Sequence, residues 1–191
     1  MGKILRLGLV LFIITAVTGV ILGAVHTLTL EPIRWAQGRE KNEALAATLP
    51  GAEDFKAIEP KGGAGSIAEI YEGSRGGDIM GYNFTVMPKG YGGLITFIVG
   101  IANDGHVKDI KILAHSETPG LGAKAENPEF SGQFKDKPAA ALRVTKTPPA
   151  RDGDIQAISG ATITSTAVTT GVNDAISYWK SNFAGAARRA D

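Results

Sequence analysis

Residues 156 to 168 read Q-A-I-S-G-A-T-I-T-S-T-A-V, with the hydroxyls of Ser159, Thr162, Thr164, Ser165 and Thr166 crowded ahead of an apolar-periodic segment. A helix N-terminus presents unpaired backbone N–H groups and the positive end of the macrodipole, so it favours an anion, phosphate above all. Gly160 and Ala161 leave the approach open, and the hydroxyls add donors. Plain N-capping is the competing reading, because Ser and Thr are preferred caps and need no ligand. A serine nucleophile fits less well. Ser159 sits in A-I-S-G-A, not in G-x-S-x-G, and no histidine is near it in sequence.

Two further stretches are rich in turn-forming residues. Residues 115 to 130 read H-S-E-T-P-G-L-G-A-K-A-E-N-P-E-F, and residues 89 to 95 read K-G-Y-G-G-L-I. Pro119 with Gly120 and Gly122 shapes a rigid bend, which is also what an ordinary structured turn needs.

Composition removes several chemistries. The absence of cysteine excludes disulfides, thiolate metal sites, iron–sulfur ligation and Cys nucleophiles. The three histidines, at 26, 106 and 115, are too scattered for a His-rich metal site. After residue 30, 18 basic residues (20 less Lys3 and Arg6) face 19 acidic ones, so that part carries −1 and has no nucleic-acid footprint.

The elements that must position these residues begin with an anchor. Leu7 to Leu30 contains 24 consecutive residues without Asp, Glu, Lys or Arg. As a helix it would be roughly 36 Å long, enough to span a bilayer with some tilt. A cleaved signal peptide would use Lys3 and Arg6 as its basic region, but its apolar run is normally about 7–15 residues, and no clean A-x-A site follows. Lys3 and Arg6 favour an N-terminus inside, against Arg34, Arg39 and Lys41 beyond the span. His26, near the far end, reads as an interfacial neutral side chain.

Pro32 to Leu49 reads as a helical stalk, with Pro32 in its first turn and Pro50-Gly51 as its stop. Strands are expected at Phe55–Ile58, Ser66–Glu72, Gly81–Met87, Leu94–Ile101, Val107–Leu113 and Leu142–Thr145, with Asn103-Asp104-Gly105 as a hairpin turn. Gly81–Met87 alternates apolar and polar, as a half-buried strand should. A short helix is expected near Leu121 to Glu126. D-I-Q-A-I runs strand-like into S-G-A-T, after which Ile163, Ala167, Val168, Val172, Ala175, Ile176 and Trp179 recur at helical spacing. The tail after Phe183, A-G-A-A-R-R-A-D, reads as frayed.

S-G-A-T at 159 to 162 resembles the flavinylation motif of the FMN-binding domain family, found in the RnfG subunit of Rnf complexes and the NqrC subunit of sodium-pumping NADH:quinone reductases. The E-T-P-G-L-G segment at 117 to 122 and the Gly-Tyr-Gly-Gly stretch at 90 to 93 are similar to segments of the same family. The order of these motifs and the compact layout resemble RnfG more than NqrC.

The resemblance implies an α+β fold: one N-terminal transmembrane helix, then a single extracytoplasmic FMN-binding domain with an antiparallel sheet and a C-terminal amphipathic helix. It divides the chain into residues 1–30 (cytoplasmic N-terminus and anchor), 31–50 (stalk), 51–184 (FMN-binding domain) and 185–191 (flexible tail). Thr162 is implied as the covalent attachment point, through a phosphoester to FMN. Ser159, Gly160, Ala161, Thr164, Glu117, Thr118, Gly120 and Leu121 are implied as cofactor-binding residues, and Tyr91 as one that either contacts the flavin or packs its turn. No catalytic residue and no metal is implied.

The implied function is electron transfer within a single-pass subunit of an inner-membrane complex that links ferredoxin oxidation to NAD⁺ reduction and ion movement. Its partners would be the other membrane subunits of the Rnf complex and, for maturation, a flavin transferase. Family motifs often carry Asp six residues before the modified threonine, where this chain has Gln156. Rival readings are an NqrC-like or stand-alone membrane-anchored FMN protein, and a non-redox membrane-tethered module binding a phosphate ligand or a partner.

Overall fold

The structure, a computed structural model, describes residues 2–60 and 65–184. Of the tail expected to fray after Phe183, Ala184 packs against the core, and residues 185–191 lie outside the described residues. The chain divides between Lys41 and Asn42 into two compact units.

The first unit is helix. α1 runs without a break from Gly2 to Thr48 and carries Pro32 inside it. Pro32 is therefore not the start of a helix. Proline removes one backbone hydrogen bond, and the helix-forming runs on both sides carry the helix through it. Leu11, Phe12 and Ile14 are exposed, and an 18-residue window has a mean hydropathy of 2.5, so the helix is long and apolar enough to cross a membrane. Threonine hydroxyls in its apolar run are satisfied by the helix's own carbonyls: Thr15 donates to Leu11 O (3.0 Å), Thr18 to Ile14 O (2.8 Å) and Thr29 to Val25 O (2.9 Å).

The second unit is built on a meander. Strands β1 (Asp54–Ile58), β2 (Ile67–Arg75), β3 (Asp78–Val86), β4 (Thr96–Ala102), β5 (His106–Ala114) and β6 (Lys137–Pro138) form one antiparallel sheet in chain order. β7 (Arg143–Thr145) pairs in parallel with β8 (Asp154–Gln156). A 3-10 turn at Gly122–Glu126 and a short α2 (Pro128–Ser131) lie between β5 and β6, and α3 (Thr162–Asn182) follows β8. The Leu121–Glu126 helix is thus a 3-10 turn beginning at Gly122.

Both faces of the central strands are covered. One face packs against α3, with Phe84, Phe97, Val99 and Ile101 joining Val168, Val172 and Ile176 in the main core. Ile98 points to the other face, against Ala44 and Leu45 at the end of α1. Contact there is backbone to backbone: a Cβ on Gly100 would lie 1.8 Å from the Thr48 carbonyl oxygen, so only glycine fits. β3 is consequently not half-buried as its alternation suggests. Its polar members Asn83 and Thr85 are both buried, and Asn83 Nδ2 donates to Leu45 O (3.1 Å) and Thr48 Oγ1 (2.7 Å) at the end of α1. A polar residue satisfied by a helix end mimics a solvent-facing one in the sequence pattern.

Candidate functional site

Three loops meet at the start of α3. Upstream, Asp154 on β8 is buried, accepts from Arg143 Nε at 2.5 Å and from the N–H groups of Ala150 and Arg151 at 3.1 Å each. The Arg143 hydrogen bond, first among these causes, holds its carboxyl down at about 2. This pins β7 to β8 and aims the following turn. In that turn Gly160 adopts φ +76, a left-handed conformation natural to glycine, and Ala161 N donates to Ile158 O at 3.0 Å. Ser165 Oγ, one turn into α3, accepts from Ile158 N and donates to Ala161 O, both at 2.9 Å. The turn is thereby folded back on the helix.

The capping expectation fails here. The N-cap residue of α3 is Ala161, and no side chain caps the helix among the described residues. Thr162 is the first helical residue and is exposed, whereas Thr164 and Ser165 are buried. The hydroxyl cluster therefore separates by function. Ser165 closes the turn, and Thr164 Oγ1 donates to Glu117 Oε2 across the site. No hydrogen bond of the Thr162 hydroxyl is found among the described residues.

A cavity of about 610 Å³ opens at this helix end, lined by Tyr91, Glu117, Thr118, Leu121, Gly122 and residues 160–164. Eight of the ten residues implied by the resemblance line it: Tyr91, Glu117, Thr118, Leu121, Gly160, Ala161, Thr162 and Thr164. Ser159 does not; it lines a smaller cavity with Lys124, Gln133 and Gln156. Gly120 is not among the lining residues either, and its φ of +78 makes it the bend of its loop. Thr162 also lines a second cavity of about 500 Å³ beside Pro88, Lys89, Thr166, Thr170 and Asp174.

Glu117 is buried, with Oε1 accepting from Gly92 N at 2.8 Å. Its own N–H donates to His115 Nδ1 (3.2 Å), and His115 Nε2 lies 3.1 Å from Glu126 Oε1. Tyr91, Leu121 and Ile163 are exposed on the rim, so Tyr91 does not pack into its turn. Ile163 and Gly122 were not anticipated at the site. Ile163 obeys the helical period, which cannot tell a face turned to the core from one turned to a cavity.

Shape and chemistry together suit a flat aromatic ligand with an anionic end. Apolar side chains form the rim, an uncapped helix terminus supplies N–H groups for an anion, and the volume is that of a small-molecule site. FMN fits this description.

Residues 90–177 match the FMN-binding domain family. The RnfG-type protein of the proton-translocating ferredoxin:NAD⁺ oxidoreductase complex of Clostridium ljungdahlii is 38% identical over 84% of this chain and 83% of its own length. This chain belongs to the RnfG family of ion-translocating oxidoreductase complexes. Its counterpart in the Na⁺-translocating ferredoxin:NAD⁺ oxidoreductase complex of Acetobacterium woodii is 35% identical, with 93% of this chain and 92% of that one covered. The RnfG-type protein of the Methanosarcina acetivorans ion-translocating oxidoreductase complex is 33% identical, covering 92% and 94%.

Among solved structures, the NqrC protein of the Na⁺-translocating NADH-quinone reductase of Parabacteroides distasonis superposes with a TM-score of 0.61 at 18% identity, over 79% of this chain and 95% of that one. NqrC of Shewanella oneidensis gives 0.52 at 19% identity, over 76% and 74%. These two likenesses establish a shared fold for this RnfG family member.

Proposed function

We propose that this chain is an electron-transfer subunit of a membrane-bound ion-translocating ferredoxin:NAD⁺ oxidoreductase complex, carrying FMN joined to Thr162 by a phosphoester. The observation that carries this reading is the exposed hydroxyl of Thr162 at an uncapped helix start, opening on a cavity rimmed by Tyr91, Leu121 and Ile163. The relatives' membership of such complexes supports the setting.

FMN, when bound, supplies one- and two-electron transfer that no side chain here could perform. The protein's residues bind and orient. The first-turn N–H groups of α3 would hold the phosphate, and the rim side chains would hold the ring by its apolar surface. Attachment would be the work of a separate flavin transferase using FAD. Such a transfer would form the Thr162 Oγ–P bond as the pyrophosphate bond to AMP breaks, with AMP and the hydroxyl proton leaving and no electrons moving. Gln156 and Ser159 are exposed together on the neighbouring cavity, where a modifying enzyme would meet them. Asp154 is committed to Arg143 and does not substitute for the carboxylate usual at position 156.

The uncharged run of α1 is the membrane anchor in this reading, crossing once. Lys3 and Arg6 retain the N-terminus in the cytoplasm, and the sheet domain lies outside it. The other subunits of the complex are its partners.

Intact-mass measurement of the denatured native protein tests the attachment. The expected mass exceeds that of the sequence by one FMN phosphoester. A mass equal to the sequence, from cells that flavinylate other proteins, would remove the covalent reading.

A further inference from the structure

We propose that Glu117 is a positioning residue: a buried anionic clasp that fixes the walls of the larger cavity against one another and holds negative charge beside a ring bound there. The clasp stands on the protein's own geometry, and only its effect on a ring rests on the flavin reading.

Glu117 is 5% exposed, and both of its oxygens are engaged within the protein. Oε1 accepts from Gly92 N at 2.8 Å, and Oε2 accepts from the Thr164 hydroxyl. Among the described residues, no Lys, Arg or His side chain pairs with this carboxylate. The glycines around it are cut to its shape. A Cβ on Gly90 would lie 2.5 Å from Oε1, and one on Gly122 would lie 2.5 Å from Oε2 and 2.7 Å from Thr164 Oγ1.

These contacts join the parts that matter. Gly92 follows Tyr91 on one wall, Thr164 follows Thr162 by two residues on another, and Glu117 precedes Leu121 in the third loop. One carboxylate thus sets the spacing of the attachment point and two rim side chains. Burying it unbonded would be costly, so each arm that it loses loosens the loop that supplied it. The same charge opposes the addition of electrons to a neighbouring ring, because a site shielded from water screens it poorly. Its effect is to lower the ring's reduction potential.

The two properties separate by substitution. Glu117→Gln keeps the shape, with Oε1 still accepting from Gly92 and the amide donating to Thr164, but it removes the charge. Thr164→Val keeps the charge and removes one arm. Thr164→Ser keeps both.

Amide hydrogen exchange is followed in the full chain in detergent, produced without flavin. Glu117→Ala is expected to speed exchange at Gly92 about tenfold, the magnitude of one charge-assisted hydrogen bond. Thr164→Val is expected to do so less, and Thr164→Ser to match the wild type. Wild-type exchange at Gly92 in Glu117→Ala overturns the clasp. If Glu117→Ala does not fold, wild-type exchange in Thr164→Val does the same.

In the flavin-loaded chain, Glu117→Gln is expected to raise the midpoint potential, and Thr164→Val not to raise it. Equal potentials in Glu117→Gln and wild type overturn the charge effect. A wild type that carries no flavin sinks the flavin reading and with it that effect, while the exchange data decide the clasp.

Discussion

The two ends of helices that meet the sheet domain are treated in opposite ways. At the C-terminus of α1, Leu45 O accepts from Leu49 N and from Asn83 Nδ2, both at 3.1 Å, and Thr48 Oγ1 donates to Ala44 O at 2.8 Å. All of this is buried. At the N-terminus of α3 the cap position holds alanine, the next residue is an exposed threonine, and a cavity lies in front. A buried helix end must be satisfied within the protein, because no water reaches it. An end left open beside an apolar-rimmed cavity is available to a ligand. The contrast explains why the same residue types, Thr and Ser, are buried and hydrogen-bonded at 48 and 165 and exposed at 162.

The largest effect should come from removing the exposed hydroxyl of Thr162 at the open end. Thr162→Ala is expected to abolish the FMN adduct in the denatured protein's mass spectrum, and Thr166→Ala to leave it whole. Thr164 is a poor alternative anchor, since its hydroxyl is buried against Glu117. An adduct that survives Thr162→Ala and vanishes in Thr166→Ala would shift the anchor by one helical turn.

At the closed end, a change should cost stability and leave flavin loading alone. Asn83→Ala strips the donor from Leu45 O and Thr48 Oγ1 inside the core. Two lost hydrogen bonds with their acceptors left buried are expected to cost about 2–4 kcal/mol. Denaturant unfolding of the chain in detergent measures it. A loss below about 0.5 kcal/mol, the size of an ordinary surface change, would mean that the end of α1 is not held by Asn83.

Much of this contrast is legible in the sequence alone. Strands β1 to β5, the hairpin at Asn103-Asp104-Gly105 and the length of α3 follow from alternation, turn chemistry and helical period. The motif segments are recognisable, yet their convergence is not, because Glu117 and Thr164 are 47 residues apart and meet only through the fold. What escapes the sequence pattern are features whose cause is tertiary. Asn83 looks solvent-facing and is buried by a helix end. Ile163 looks like core and faces a cavity. Ser159 and Thr162 look equivalent as hydroxyls, but the left-handed turn at Gly160 puts them on different cavities. Pro32 looks like a helix start and is carried inside α1, since one missing N–H cannot outweigh favourable helix on both sides.

A smaller effect is expected from Asp154, which sets up the open end from below. Its folded carboxyl titrates at about 2, below its ordinary value, chiefly through the hydrogen bond from Arg143. A lowered carboxyl pKa stabilises the folded state above the ordinary carboxylate range. That contribution is lost as pH falls from about 4 towards the folded value. Asp154→Asn should therefore flatten the acid side of the stability curve in this window and lower stability at neutral pH. An acid limb identical to the wild type's would show that the pair adds nothing there.

The smallest effect tests the rim itself. Leu121 is half-exposed, and its Cδ2 would lie 3.1 Å from a Cβ on Gly160, so it bridges the E-T-P-G-L-G loop to the start of α3. Leu121→Ala removes little buried area and should hardly alter unfolding. If the ring lies against it, water gains access to one face, and the flavin absorption maximum and midpoint potential should both move while the adduct mass stays the same. Unchanged spectrum and potential would instead place the ring against Tyr91 and Ile163, away from the loop, and would confine the open end's reach to the phosphate.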